Sequence, residues 1–143
     1  MADVLLALDY GRRKIGLAVS TGLGTIHPRP RLDRRAPDDD LAALCALAAE
    51  VGARALVIGL PHHMDGSRSE IEVEVRDFAR ALADRSGLPV FGVDERLTTE
   101  EAEAVLRQAE ADPRRRRARR DSAAACLILR DYLEGRGAPE RLQ

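Results

Sequence analysis

Three short, unbroken apolar runs set the terms for any fold of this chain: VLLAL at 4–8, ALVIGL at 55–60 and LPVFGV at 88–93. Each is too short for a buried helix and shows no polar alternation, which is the pattern of a strand covered on both faces. Such strands need helices above and below the sheet, and the sequence between the runs supplies them. Residues 38–51 place Leu41, Leu44, Cys45, Ala48 and Val51 on one helical face, with Asp38, Asp39 and Asp40 in the first turn and Gly52 after the last. Ser67 and Glu70 have capping-box spacing ahead of Ile71, Val75, Phe78 and Leu82, and Gly87 ends that helix. Thr98 and Glu101 repeat the spacing ahead of Ala102, Val105, Leu106 and Ala109, up to Asp112-Pro113. A last helix is predicted from near Asp121 to about Glu134, with Ala124, Ala125, Leu127, Ile128 and Leu133 as its apolar face.

Between the first run and the first helix, Lys14 to Ser20 reads as a second strand. TIHPRPRL at 25–32 reads as a third, which Pro28 and Pro30 confine to a sheet edge. The expected class is α/β: a mixed five-stranded sheet, made of a three-strand antiparallel meander plus parallel strands, with helices on both faces. At 143 residues the chain suits one core, expected over 1–134, followed by a short flexible tail at 135–143. No stretch approaches the roughly 20 apolar residues that span a bilayer, and MADVLLALDYGRRK lacks the marks of a signal peptide, so a cytoplasmic protein without membrane contact is expected. Cys45 and Cys126, the two cysteines, sit in apolar helical patterns with no CxxC, which points to small core residues and away from zinc or a disulfide.

Acidic residues stand where apolar runs end: Asp9 in LALDYGRRKIG and Glu95 in FGVDERLTT, with Asp121 in RRDSAAA further on. In sheets of parallel strands joined by helices, ligands collect beyond the carboxyl ends of the strands, where Asp9, the GLPHHMDG loop and Glu95 all fall. Carboxylates gathered from distant segments suit a hard divalent cation, with a phosphodiester supplying further oxygen ligands. Simpler roles compete. Asp121 precedes a helical pattern and could be its N-cap, and Glu95 could pair with Arg96 or Arg12 at the surface. Asp9 is harder to explain otherwise, because it follows a five-residue apolar run and Gly11 permits close backbone approach. His27 reads as an ordinary loop residue, while His62 and His63 are candidates for a phosphate or metal contact.

The formal charge of −1 conceals a strong local field, since RRRRARR holds Arg114, Arg115, Arg116, Arg117, Arg119 and Arg120 beside Asp121. Arg12, Arg13 and Lys14 follow Asp9, and Arg96 follows Glu95. These residues are candidate phosphate contacts, against the plainer readings of a solvated charge run and a solvated hairpin turn. Lys14 is the single lysine among 23 basic residues, a bias that suits bidentate phosphate binding and that a GC-rich genome would also produce. Aromatics make up only 3% of the chain, so backbone and shape recognition fit better than base stacking.

Four segments in order, DYGRRKIGLAVS, VIGLPHHMDG, DERLTTEEA and DSAAACLIL, resemble the YqgF/RuvX family of Holliday junction resolvases and pre-16S ribosomal RNA nucleases. The resemblance runs from about residue 4 to 134. It implies a ribonuclease H-like fold and a catalytic, metal-binding set of Asp9, Glu95 and Asp121 around Mg²⁺ or Mn²⁺. In a two-ion arrangement Asp9 would bridge, and Glu95 and Asp121 would each hold one side. The implied partner is nucleic acid, RNA first and branched DNA second, acted on by a monomer or homodimer. Related junction resolvases carry a fourth carboxylate one turn after the final Asp, where this chain has Ala124, so junction resolution is the weaker expectation. Asp-x-Gly after a first strand also resembles actin-like ATPases and sugar kinases, which close two domains around a nucleotide. A non-catalytic nucleic-acid-binding module is the alternative of another class.

Overall fold

The computed structural model describes residues 3–22, 24–61, 69–95 and 113–142, with the backbone alone at 95 and 113–121. The apolar runs form the sheet's centre: β1 (Leu5–Asp9), β4 (Ala55–Pro61) and β5 (Val90–Glu95) are parallel, with Leu8 in register with Ile58 and Ile58 with Gly92. β2 (Lys14–Ser20) and β3 (Ile26–Asp33) complete the antiparallel meander, and β3, with Pro28 and Pro30, is an edge.

Because side chains alternate along a strand, each central strand feeds two cores. Leu6, Leu8, Leu56, Ile58 and Leu60 face α1 (Pro37–Val51) and α2 (Glu70–Ser86), meeting Leu44, Val75 and Leu82. Leu5, Ala7, Ala55, Val57 and Val93 face α3 (Pro113–Leu133), meeting Ala125, Cys126, Ile128 and Leu129. Leu6, Leu8, Leu56 and Ile58 are wholly buried, each stabilising the fold by about 1.5–3 kcal/mol. α1 ends at Gly52, whose left-handed φ of 72° lets its N–H reach the Ala48 and Ala49 carbonyls.

Several expectations need correction. Among the described residues the sheet has six strands, in the order β3-β2-β1-β4-β5-β6, because β6 (Glu140–Arg141) pairs antiparallel with β5. The segment expected as a loose tail is therefore tied down: Asp94 N–H donates to the Gly137 carbonyl, Leu142 N–H to the Val90 carbonyl, and Arg76 joins Glu140 at 2.6 Å and buried Glu72 at 2.8 Å. The cap of α2 is Ser69, whose Oγ accepts the Glu72 N–H at 3.1 Å, so the box at Ser67 and Glu70 lies two residues too early. α3 begins at Pro113, eight residues before the expected start; proline is well suited to a first helical position because its missing N–H would be unpaired there anyway. Leu133, assigned to the apolar face, is 43% exposed. The helix expected after Thr98 lies outside the described residues.

Two polar anchors fix the elements at the carboxyl rim. A register shift separates the Ile15↔Leu32 and Leu17↔Arg29 pairs, and fully buried Ser122 of α3 enters there. Its hydroxyl accepts the Leu17 N–H at 3.1 Å and donates to the Arg29 carbonyl at 2.7 Å, bridging two register partners. On the opposite face, Tyr10 donates its phenol to Glu74 at 2.5 Å, and its ring meets Phe78 at 5.1 Å between centroids. Arg34 lies over both rings and bonds Asp40 at 2.9 Å and the Gly11 carbonyl at 3.1 Å. Asp40 is only 1% exposed and also accepts the Arg35 N–H, so it is an internal acceptor rather than one more solvated acid of the first turn.

Ser122→Ala leaves two buried backbone groups unpaired and is expected to cost about 1–3 kcal/mol, measured by denaturant unfolding. The second anchor predicts a pH effect. The Tyr10 phenol, together with the Arg12 charge, holds Glu74 below the ordinary glutamate value, while burial and the bond to Glu74 raise Tyr10 above that of a free phenol. A lowered carboxyl contributes stability above its unfolded pKa and loses it as pH falls through the folded one. A raised phenol contributes below its unfolded pKa and loses that contribution as pH rises through the folded one. Tyr10→Phe is therefore expected to cost about 1 kcal/mol at neutral pH, the value discounted because Glu74 is partly exposed. The difference between the two proteins should shrink toward acid, as Glu74 protonates, and again toward alkali, in unfolding curves across pH.

Candidate active site

Strand parity decides which side chains can meet at the rim. Asp9 follows Leu5 and Ala7 on the α3 face, while its neighbour Tyr10 packs with the core beneath α1 and α2. Position 95 follows Phe91 and Val93 on that same α3 face, at the last rung of β5, opposite Pro61 of β4. Positions 9 and 95 thus stand two strands apart, about 10 Å laterally, with 95 two residues further along the strand direction.

The third candidate arrives on the helix that covers this face. Asp121 is the ninth residue of α3, well inside it, so the N-cap reading fails. Next to it Ser122 is fastened to Leu17, the residue after Gly16, and Gly16 is the register partner of Asp9. The anchor therefore sets α3 at residue 122 against β2 and β3, one residue along β2 from the register partner of Asp9. Positions 9 and 95 share one face and one rim, and the helix that bears position 121 covers that face.

Among the described residues no three His, Cys, Asp or Glu side chains are grouped to hold a metal, and the side chains at 95 and 121 are not among them. The donor set itself fits a hard cation, being carboxylate oxygen from three separate elements. Cys45 is half-buried and Cys126 buried, and neither forms a disulfide. His27 lies exposed on β3 opposite Val19, three residues from Gly16, so it is no part of the set. His62, His63 and Arg96 lie outside the described residues.

The turn from β1 to β2 is built for close approach. A Cβ on Gly11 would stand 2.5 Å from the Lys14 carbonyl oxygen, which is backbone and has no room to yield. Arg12, Arg13 and Lys14 are exposed on this turn. Arg12 is already engaged with Glu74 at 3.2 Å, an exposed pair that a phosphate can exchange with at little cost. Residues 114–120 form the first two turns of α3, about 12 Å of helix ahead of the Ser122 anchor, so the arginines belong to an ordered helix rather than to a loop before one.

Sequence patterns did not identify Ser122, Arg34, Glu74 or Asp40 as parts of this rim. Ser122 had one signal, a lone hydroxyl at the head of an apolar helical stripe. The other three partners are separated from the residues they hold by up to 64 positions and carry no local pattern.

Comparison with known proteins shows the family. Residues 3–135 match the family model described as "RuvX: Holliday junction resolvase". A "Putative pre-16S rRNA nuclease" of Moorella thermoacetica is 44% identical over 134 residues, covering 93% of this chain and 96% of that protein. A protein of the same name from Chromobacterium violaceum is 41% identical, covering 92% and 98%. Among solved structures, "T. thermophilus RuvC in complex with Holliday junction substrate" has a TM-score of 0.63 at 16% identity, covering 97% of this chain and 99% of that one. That likeness is one of fold, and with it the mixed sheet is ribonuclease H-like. With a family model spanning nearly the whole sequence and relatives above 40% identity along their full length, the chain belongs to the RuvX family.

Proposed function

We propose that this chain is a divalent-metal-dependent nuclease hydrolysing phosphodiester bonds, with precursor ribosomal RNA as its first substrate and branched DNA as its second. The observation that supports it most is the common face: Asp9 and strand position 95 share one side of the sheet at one rim, and Ser122 fixes the helix bearing Asp121 over that side. Asp9, Glu95 and Asp121 are the catalytic and metal-holding residues of this reading. Mg²⁺ or Mn²⁺, as a pair, would activate water and stabilise the leaving oxygen. Asp9, on the rigid central strand, would hold the ions together with Glu95 and Asp121.

The protein's own contribution is position and field. Close carboxylates repel one another and are poised to take up a cation that relieves the repulsion. Arg12, Arg13 and Lys14 on the turn, Arg96 beyond β5, and Arg114, Arg115, Arg116, Arg117, Arg119 and Arg120 on α3 hold the phosphate backbone on either side of the carboxylates. RNA is placed first because curated relatives at 44% and 41% identity carry the ribosomal RNA name and because Ala124 stands where related junction resolvases have a fourth carboxylate. A monomer suffices for cutting one strand, whereas paired incision of a four-way junction calls for a two-fold dimer. Cytoplasmic action accords with that substrate.

The decisive assay offers precursor 16S RNA, single-stranded RNA and a four-way DNA junction side by side, with and without Mn²⁺ or Mg²⁺. Metal-dependent cleavage of the precursor is expected, and Asp9→Asn, Glu95→Gln and Asp121→Asn should each lower kcat by at least about 100-fold, or roughly 2.7 kcal/mol, while metal-free RNA binding persists. Full activity in all three variants would remove these carboxylates from catalysis, and a parent that binds RNA without cleaving it would leave a binding module as the surviving reading. Replacing Arg115 and Arg119 together by Ala is expected to weaken RNA binding and to flatten the slope of log K against log salt by about 0.7 for each phosphate no longer neutralised. An unchanged slope would remove α3 from the interface.

A further inference from the structure

The rim's second anchor holds the chain immediately after Asp9, and nothing in the nuclease chemistry itself requires it. Tyr10 turns to the α1–α2 face, so the peptide joining it to Asp9 is where two sides of the sheet meet. Arg34 makes its contacts there. Its Cζ stands 4.8 Å from the Tyr10 ring centre and 5.2 Å from that of Phe78. One nitrogen donates to the Gly11 carbonyl at 3.1 Å, another to Asp40 at 2.9 Å, and the Arg34 backbone N–H donates to the Arg13 carbonyl at 2.9 Å. A single side chain, only 12% exposed, therefore ties β1's end and the turn after it to α1 through Asp40 and to α2 through Phe78.

We infer that Arg34 is a positioning residue for Asp9: its planar guanidinium, held by Asp40 and laid on Tyr10 and Phe78, fixes the Tyr10 ring and the Gly11–Arg12 peptide, and so the placement of the Asp9 carboxylate toward α3. The inference rests on the nuclease reading and deepens it. Arginine suits this task and lysine does not. Stacking on two rings while donating in two directions needs a flat, forked cation, whereas an ammonium is a point charge that keeps the charge but not the geometry. Glu74 supports the arrangement by holding the Tyr10 phenol. Arg34 is not proposed as a phosphate ligand, since its side chain is only 12% exposed and two of its five N–H donors are engaged by Asp40 and the Gly11 carbonyl.

The test compares the intact chain with Arg34→Lys and Phe78→Leu, the latter removing one ring without touching the turn. Three quantities are measured below the melting temperature of every variant: kcat on precursor RNA, Mn²⁺ affinity by paramagnetic titration, and metal-free RNA binding across salt. For Arg34→Lys the expected result is a Mn²⁺ dissociation constant raised by roughly 10-fold and a kcat lowered by a similar factor, the usual size of effect when a residue supporting a metal ligand is removed. RNA affinity and its salt slope should stay as in the parent, and Phe78→Leu should shift Mn²⁺ affinity in the same direction by less. Two outcomes overturn the inference. A fall in melting temperature with Mn²⁺ affinity and kcat unmoved makes Arg34 structural only. Weaker RNA binding with a flatter salt slope makes it a phosphate contact. Asp9→Asn run alongside separates this from failure of the nuclease reading: if the parent does not cleave, or Asp9→Asn does, that reading falls. The Mn²⁺ titration still decides for or against Arg34.

Discussion

Strand β1 is covered on both faces, and the rest of the molecule is arranged around that constraint. A five-residue strand with Leu6 and Leu8 on one side and Leu5 and Ala7 on the other must have helices both above and below. It must also have neighbours on both edges, which β2 and β4 supply, one antiparallel through a short turn and one parallel through a crossover. The crossover direction then brings the ends of β1, β4 and β5 to one rim, and the functional residues can be gathered there.

Consecutive residues at the end of β1 have opposite loyalties. Asp9 belongs to the face under α3 and Tyr10 to the face under α1 and α2, so the chemistry on one side is braced by packing on the other. The brace is largely polar. A buried pair such as Arg34 with Asp40 contributes little net stability, because desolvation offsets most of the attraction, but losing one partner strands a charge. Such an arrangement tolerates few alternative geometries. The Ser122 hydroxyl does the same for α3 with two neutral bonds, holding the helix to one axial position at the bulge.

The parts of this structure legible in the sequence were those governed by local periodicity. The runs at 4–8, 55–60 and 88–93 became the parallel strands, Pro28 and Pro30 marked an edge, and Leu41, Leu44 and Ala48 lined α1 as their spacing predicts. Asp9 was legible because a carboxylate after an apolar strand is conspicuous. The boundary of α3 was not, since the arginine run carries no apolar stripe and a proline reads equally well as the stop of one helix or the first residue of the next. β6 was missed for a related reason: two residues have no periodicity, and their pairing depends on β5, Gly137 and Arg76 rather than on themselves. The partners of Tyr10 come from 24 to 68 positions away in the chain and were beyond any local pattern.

The segment around β6 also bears on how the molecule behaves among its own copies. β5 is apolar and would otherwise offer unpaired backbone groups along Val90 to Asp94, a ready template for another strand. Residues 137–142 occupy those groups and present Glu140 and Arg141 outward in their place. At the other side of the sheet the prolines of β3 withhold two donors. Both margins of the sheet are thereby blunted against self-association, by imino acids on one side and by a short charged strand on the other.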